Sequence, residues 1–150
     1  MQSTSSKNLV LFADDDKDDR DLLLHSFNKH HTDIEVKVFE DGIDLLNYTE
    51  DLIKEDVMPC LVILDINMPK ISGKDVLRLL RQKPKFEKVP VVLFTTSNAP
   101  TDSFFASLYD AGFISKPYSA GEMEGIVDKF VSHCNDDVKK KLRAFSNQPL

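Results

Sequence analysis

A four-residue apolar run at positions 61–64, closed by an aspartate, constrains the fold of this chain more than any other segment. The run reads Leu-Val-Ile-Leu, and Asp65 follows it directly, with a Met-Pro pair shortly after. Apolar runs this short, ended by turn residues, are typical of strands buried on both faces of a parallel sheet. Open α/β sheets keep their functional groups at the carboxyl edge of such strands. Asp65 is therefore a candidate functional residue, although by itself a role as the cap of the following turn explains it better.

The same pattern recurs along the chain, and helical patterns separate its repeats. Further buried strands are predicted at 9–13, 90–94 and 113–115. The strictly alternating segment 34–38 predicts an edge strand with one exposed face. Apolar residues at helical spacing follow the strands at about 17–29, 42–53, 73–84, 100–112 and 123–131, and Gly112 is expected to end the fourth of these helices. This alternation predicts an α/β fold, a doubly wound parallel sheet of five strands with helices on both faces, but it does not determine the order of the strands.

The size and charge of the chain exclude several classes of protein. Its 150 residues fit one domain, and the formal net charge of -6 argues against binding to nucleic acid or to anionic membranes. No apolar N-terminal segment indicates a secretory signal, and no apolar run approaches the roughly 20 residues of a membrane-spanning helix. A cytoplasmic protein is expected. Residues 1–7 are expected to form a disordered lead-in, 8–133 the folded domain, and 134–150 a helical extension or tail.

Polar side chains follow four of the predicted strands at the point where each strand ends. Asp14 and Asp15 follow the first strand, Asp65 the third, Thr95 the fourth and Lys116 the fifth. Parallel strands all point the same way, so these residues are expected to gather at one edge of the sheet. The result would be three carboxylates, a hydroxyl and an ammonium group in one place.

This combination of side chains suits phosphoryl chemistry. Three carboxylates within a few ångströms require a counter-charge, and oxygen ligands of this kind favour a hard cation such as Mg²⁺. A carboxylate can also act as a nucleophile and form an aspartyl-phosphate, which makes Asp65 the candidate acceptor. Lys116 and the hydroxyl of Thr95 would then supply the positive charge and the hydrogen bonds that a transferring phosphoryl group needs.

Other acidic residues near the first helix have a simpler explanation. Asp16, Asp18 and Asp19 fall at the start of that helix, where carboxylates stabilise the positive end of the helix dipole by ~0.3–1 kcal/mol. A calcium-binding loop of the EF-hand type beginning at Asp14 is excluded, because Asp19 stands where glycine is required and His25 where glutamate is required.

The strand ends resemble those of a known family. The matching residues are Asp14-Asp15, Leu64-Asp65-Ile66-Asn67-Met68-Pro69, Thr95 and Lys116-Pro117. Over roughly residues 8–133 the chain resembles the receiver domain of two-component response regulators. Fewer than about 20 residues follow this region, too few for a separate output domain, so a stand-alone, chemotaxis-regulator-like receiver is expected. The resemblance implies a flavodoxin-like sheet with the strand order 2-1-3-4-5.

The resemblance also implies a phosphoacceptor and a metal site. Asp65 would be the residue that is phosphorylated. Asp15 would bind Mg²⁺ directly, Asp14 mostly through water, and Asn67 through its backbone carbonyl, with Asp65 completing the set.

Three further residues would carry the response to phosphorylation. The resemblance makes Thr95 the switch hydroxyl and Lys116 the amine that contacts the phosphoryl group, with a cis peptide bond to Pro117. Phe113 stands where the family keeps an aromatic side chain that swings inward on activation.

The function implied by this resemblance is a single-domain response regulator in a phosphorelay. A histidine kinase or a histidine phosphotransfer protein would donate the phosphoryl group to Asp65, and the altered surface would bind a downstream protein that the sequence does not identify. Such receivers often pair through the face of the fourth and fifth helices. The sequence therefore leaves open whether this protein forms a homodimer. The protein would not be an enzyme beyond catalysing its own phosphorylation and dephosphorylation.

Two alternatives stay open at this point. An aspartyl-phosphate-forming phosphatase acting on small phosphate esters would use the same nucleophile, but Asn67 replaces the second aspartate of the Asp-x-Asp pair that such enzymes use as general acid. A receiver-like docking protein that is never phosphorylated is the other alternative, and the complete acidic set argues against it.

Overall fold

Five strands alternate with five α-helices along residues 8–132, the part of the chain that the computed structural model describes. The strands are β1 (Leu9–Ala13), β2 (Glu35–Phe39), β3 (Leu61–Leu64), β4 (Val91–Thr95) and β5 (Gly112–Ser115). The helices are α1 (Lys17–His30), α2 (Gly42–Glu55), α3 (Gly73–Arg81), α4 (Pro100–Leu108) and α5 (Ala120–Ser132), with a 3-10 turn at Pro84–Phe86. The lead-in 1–7 and the tail 134–150 expected from the sequence lie outside the described residues.

The strands form one parallel sheet in the order β2-β1-β3-β4-β5. This confirms the doubly wound α/β fold and the order 2-1-3-4-5 that the resemblance implied. The register aligns the strand ends, because Ala13 pairs with Leu64 across β1 and β3, and Thr95 pairs with Ser115 across β4 and β5. The residues that follow these strands therefore emerge at the same level of the sheet.

Burial follows the sequence patterns closely. Every residue of β1, β3 and β4 is buried, whereas β2 alternates between exposed and half-buried positions, as expected for an edge strand. One face of the sheet packs against apolar residues of α1 and α5: Leu23, Phe27, Met123, Val127 and Phe130. The other face packs against apolar residues of α2, α3 and α4: Leu45, Leu52, Val76, Leu77 and Ala106. The sheet is thus buried between two apolar layers, one on each face.

The start of three helices at that edge is set by side-chain caps. Asp16, Asp41 and Ser72 each precede a helix and accept a hydrogen bond from the backbone N–H three residues later. Caps of this kind satisfy backbone donors that the first turn leaves unpaired and typically contribute about 1 kcal/mol each.

The end of α4 differs from the sequence prediction. Gly112 was expected to terminate the helix, but α4 ends at Leu108 and Gly112 is the first, buried residue of β5. Asp110 takes the left-handed conformation instead, with φ at 55°. Aspartate reaches that region at a lower cost than most residues, so the chain leaves the helix without a glycine. Within residues 8–132, no helix combines the length and the apolar character needed to cross a membrane.

Candidate functional site

The structure brings together side chains from three strand ends at the carboxyl edge of the sheet. The Lys116 ammonium lies 2.6 Å from Asp14 Oδ2 and 3.4 Å from Asp65 Oδ2. Ladder hydrogen bonds hold the backbone of all three residues, because Asp14 N donates to Phe39 O, Asp65 N to Ala13 O and Lys116 N to Thr95 O. The sheet register, rather than a flexible loop, therefore sets the distances between these groups.

Three carboxylates at this edge are arranged to hold a metal ion. One oxygen from each of Asp14, Asp15 and Asp65 lies within 4.8 Å of the other two. Asp14 and Asp65 are buried and Asp15 is exposed, so the group faces solvent on one side. A hard divalent cation that binds through carboxylate oxygens and keeps several waters fits such a donor set. Asn67 is exposed two residues beyond Asp65 and lies on the same loop.

Burial dominates the electrostatics of the two buried acids, Asp14 and Asp65. The pKa of Asp14 is raised to about 6, mainly by burial and to a smaller extent by the charge of Asp65, while hydrogen bonds from Lys116 and from the backbone of Asp16 act against the shift. Burial also raises the pKa of Asp65, against the opposing effect of the Lys116 charge. In the absence of a cation, both acids therefore take up protons more readily than an aspartate in water.

Lys116 is the positive charge in this cluster. Burial lowers the pKa of its ammonium, but the hydrogen bonds to Asp14 and Asp19 and the charges of Asp14 and Asp65 outweigh that effect, so the pKa of Lys116 lies above its usual value. The Lys116 side chain is only 9% exposed. It stays charged at any physiological pH and cannot be released to solvent without moving the chain around it.

Thr95 and Phe113 occupy the positions expected from the sequence. Thr95 is fully buried at the end of β4, and its Oγ1 accepts a hydrogen bond of 3.2 Å from Ser97 N. Its hydroxyl also acts against the rise in the pKa of Asp65. Phe113 pairs with Leu93 across β4 and β5 and is half-buried. Thr95 thus lies beside the cluster, whereas Phe113 lies within β5, three residues before Lys116.

The predicted cis peptide bond between Lys116 and Pro117 is wrong. No cis peptide bond occurs among residues 8–132, so this bond is trans. The trans isomer is the intrinsically favoured form of a bond that precedes proline, by about 0.5–1 kcal/mol.

Two residues of the site were not identified as functional from the sequence. Asp19 was assigned to the helix dipole, yet its Oδ2 lies 2.8 Å from the Lys116 ammonium. The available signal was its position as third residue of α1, since side chains there reach back towards the cap and the preceding strand. Gly73 is the other, because a Cβ atom at this position would meet Asp65 O at 2.0 Å. Only glycine lets α3 begin so close to the backbone of the candidate acceptor.

The chain forms a parallel doubly wound sheet with a carboxylate cluster and a lysine at its carboxyl edge. These features are typical of α/β proteins that bind ligands at this edge. Comparison with known protein families identifies the class of protein more specifically than the fold does. The family model of the response regulator receiver domain matches residues 10–128, and the chain belongs to this family of two-component response regulators.

Curated relatives include two cyanobacterial response regulators. Response regulator Rcp1 of Synechocystis sp. is 29% identical over 96 residues, which cover 63% of this chain and 65% of Rcp1. Response regulator Rre1 of the same organism is 38% identical over 73 residues, which cover 47% of this chain and 31% of Rre1. The matched region thus spans less than two thirds of either relative.

Solved structures share the fold. The phosphorylated cyanobacterial phytochrome response regulator RcpA matches with a TM-score of 0.76 at 24% identity, covering 85% of this chain and 94% of RcpA. The Mn²⁺-bound form of Rcp1 matches with a TM-score of 0.76 at 23% identity, covering 86% of this chain and 98% of the other. The chemotaxis protein CheY4 of Vibrio cholerae matches with a TM-score of 0.69 at 21% identity, covering 89% of this chain and all of CheY4, 100%. That structure of Rcp1 holds Mn²⁺, and in this chain three aspartates lie close enough together to hold a metal ion.

Proposed function

We propose that this protein is a phosphorylation-controlled switch in which Asp65 accepts a phosphoryl group in the presence of Mg²⁺. The observation that carries the proposal is the position of the Lys116 ammonium between Asp14 and Asp65, at 2.6 and 3.4 Å, beside a third carboxylate. A lone strand-end aspartate would need none of these neighbours. Clusters of buried acids with a buried amine are typical of functional sites, where they stabilise charge that develops during a reaction.

In the proposed reaction, a carboxylate oxygen of Asp65 attacks the phosphorus of a phosphohistidine on a histidine kinase or a histidine phosphotransfer protein. The P–N bond breaks, an acyl phosphate forms on Asp65, and the released imidazole takes up a proton. Asp14, Asp15, Asp65 and the carbonyl of Asn67 would hold Mg²⁺, which supplies positive charge to the phosphoryl oxygens when bound. Lys116 adds a second positive charge from the end of β5.

The hydroxyl of Thr95 links the site to the rest of the domain. Phosphorylation adds a charge of about -1.5 to -2 at neutral pH, together with strong acceptor oxygens. We infer that Thr95 then donates to a phosphoryl oxygen and gives up its contact with Ser97 N, which is 3.2 Å long here. Ser97 Oγ also donates to Asp102 Oδ2 at 2.5 Å, and Lys74 donates to the same carboxylate. A displacement of this loop is thereby transmitted to the first turn of α4.

The surface that changes would be the face formed by α4, β5 and α5. A groove of about 530 Å³ lies on this face, with Phe113, Ser103 and Ile126 among its lining residues. On α4, Phe104 and Leu108 are 65% and 64% exposed, which is unusual for large apolar side chains. We propose that a downstream protein, or a second copy of this chain, binds here when Phe113 turns inward.

The boundaries and location follow from the same proposal. The receiver unit would span residues 8–133, with 1–7 as a lead-in and 134–150 as an extension or tail. We propose a cytoplasmic location, where a histidine kinase would supply the phosphoryl group. Sustained turnover of small phosphate esters is not proposed, because Asn67 cannot act as the general acid for a leaving group.

The test is phosphorylation of the full chain with acetyl phosphate and Mg²⁺, followed by intact-mass measurement. Wild type is expected to gain one phosphoryl group per chain and Asp65→Asn none. Asp18→Asn, which removes an exposed carboxylate from α1, is the matched control and should be phosphorylated like wild type. Equal phosphorylation of Asp65→Asn and wild type would overturn the proposal, and release of many phosphates per chain would favour the phosphatase alternative.

A further inference from the structure

The Lys116 ammonium has three carboxylate neighbours, and one of them lies outside the candidate metal group. Its distances are 2.6 Å to Asp14, 2.8 Å to Asp19 and 3.4 Å to Asp65. Asp14 and Asp65 both belong to the group that is arranged to hold a cation, and Asp19 does not. The second-shortest ion pair of Lys116 is therefore made with a residue that has no place in the proposed phosphoryl chemistry.

The backbone fixes Asp19 in this position. Asp19 is the third residue of α1, and its N–H donates to Asp16 Oδ1 at 3.1 Å as part of the helix cap. Its side chain is 35% exposed, whereas that of Lys116 is 9% exposed. Asp19 thus contacts the buried ammonium from the first turn of α1 with a side chain that is partly open to solvent.

A cation at this site would share two carboxylates, those of Asp14 and Asp65, with the Lys116 ammonium. Asp14 Oδ1 already accepts a hydrogen bond of 2.9 Å from Asp16 N, and Oδ2 accepts from Lys116. A cation bound by Asp14 and Asp65 would draw both carboxylates away from Lys116. A buried ammonium that loses its partners is costly, so without another carboxylate Lys116 would hold on to Asp14 and oppose the cation.

We propose that Asp19 is a positioning residue for Lys116: it keeps the ammonium paired on the α1 side of the site, so that the cation and the lysine occupy the site together. This inference rests on the metal site of the proposed function. Asp19 itself touches neither the cation nor the phosphoryl group and acts only through Lys116.

The test is a double-mutant cycle on Mg²⁺ affinity, measured on the full chain by NMR titration with MgCl₂. The four proteins are wild type, Asp19→Asn, Lys116→Gln and the double variant. We expect Asp19→Asn to weaken Mg²⁺ binding about 10-fold, the lower end of the effect of outer-shell changes on metal affinity. In the Lys116→Gln background, the same substitution should change the affinity less than about 2-fold, since only a screened through-space effect is left.

Matched variants separate this coupling from other effects. Asp18→Asn removes the same charge from the same turn of α1 without a contact to Lys116, and it should change Mg²⁺ affinity less than about 2-fold. Asp19→Glu keeps the charge and should restore most of the affinity. Thermal unfolding of each variant checks that it folds, and Lys116→Met provides a second background if Lys116→Gln is destabilised.

Two outcomes would overturn the inference. One is an equal loss of affinity on Asp19→Asn with and without Lys116, which would mean that Asp19 acts by charge alone. The other is no loss in either background. The proposed function fails separately, because it is decided by phosphorylation of Asp65 at saturating Mg²⁺, where a 10-fold change in affinity of the kind expected for an outer-shell residue has little effect.

Discussion

The Lys116 ammonium lies 2.6 Å from the carboxylate of Asp14, yet the pKa of Asp14 is raised to about 6 rather than lowered. Burial is the larger effect, because the carboxylate has no exposed surface, and Asp65 adds a second negative charge nearby. A buried ion pair recovers only part of the desolvation cost of its members. Without a cation, the site therefore lowers the free energy of unfolding. Binding of a cation would raise it again.

This cost predicts that Asp14→Asn stabilises the metal-free protein. Asparagine keeps the shape of the side chain and removes a charge that is disfavoured at neutral pH, so we expect the free energy of unfolding to rise by about 1–3 kcal/mol at pH 7. Urea unfolding in the presence of EDTA measures it. Asp33→Asn, an exposed carboxylate in the turn before β2, is the control and should change stability by less than about 0.5 kcal/mol. Loss of stability on Asp14→Asn in EDTA would show that the ion pair with Lys116 outweighs burial.

The same pKa predicts how stability depends on pH in EDTA. Asp14 has its pKa raised from 3.8 to about 6 by folding, so between these values the folded state binds more protons than the unfolded state. Stability then falls as pH rises through this window. We expect wild type to be about 1 kcal/mol more stable at pH 5 than at pH 7 from this group alone, measured as the difference from Asp14→Asn. A difference of the opposite sign would contradict the assignment.

Gly73→Ala is predicted to damage both the fold and the site. The added methyl group would meet the carbonyl oxygen of Asp65 at 2.0 Å, a contact that only a shift of the backbone can relieve. We expect a loss of about 3 kcal/mol, the upper end of the cost of overpacking, and weaker binding of Mg²⁺. Gly125→Ala is the matched control, since nothing lies within 4 Å of the added methyl group in the middle of α5. Gly125→Ala should stabilise the protein by about 0.5–1 kcal/mol. Thermal unfolding of both variants measures the two effects.

Arg81 is predicted to be essential for the packing of the loops around α3. Its guanidinium donates to four backbone carbonyls, those of Phe86, Val89, Tyr109 and Asp110. Arg81→Met should lower the free energy of unfolding by about 2–4 kcal/mol, because carbonyls in two loops lose a charged donor. Arg81→Lys should recover only part of this loss, since a single ammonium lacks the planar fork that reaches all of them.

The control for Arg81 is a neighbour on the same helix. Arg78 pairs with Asp75 at 2.7 Å, and its side chain is 41% exposed. Arg78→Met is expected to change stability by less than about 0.5 kcal/mol, as is usual for a solvated ion pair. Equal losses for Arg78→Met and Arg81→Met would show that helix propensity or solubility, and not the backbone contacts, decides the result.

The fold could be predicted from the sequence because each signal was local and repeated. Apolar runs marked β1, β3 and β4, alternation marked β2, and all five helices carried an apolar stripe. The strand order came from the family resemblance, because periodicity within a strand does not depend on which strand lies beside it. Gly112 was misassigned because glycine serves equally well after a helix and at a closely packed strand start, and the neighbouring Asp110 took the left-handed position.

The site could be predicted only in part. The predicted residues lie at strand ends or directly after them, and a parallel sheet brings its strand ends to one edge: Asp14, Asp15, Asp65, Thr95 and Lys116. Asp19 and Gly73 were missed because their roles depend on how α1 and α3 approach the sheet, which is a property of packing. A charged residue or a glycine at the start of a helix has an ordinary local explanation. Only the three-dimensional distances show that Asp19 also contacts Lys116 and that Gly73 lies against the backbone of Asp65.

Chemical trapping of the phosphorylated residue tests the central claim most directly. The full chain is incubated with acetyl phosphate and Mg²⁺, reduced with borohydride, which converts an acyl phosphate of aspartate to homoserine, and digested for peptide mass spectrometry. We predict homoserine at position 65 and at no other aspartate, with none formed when Mg²⁺ is replaced by EDTA. Homoserine at another position, or none at position 65 in the presence of Mg²⁺, would contradict the assignment of Asp65 as the phosphoacceptor.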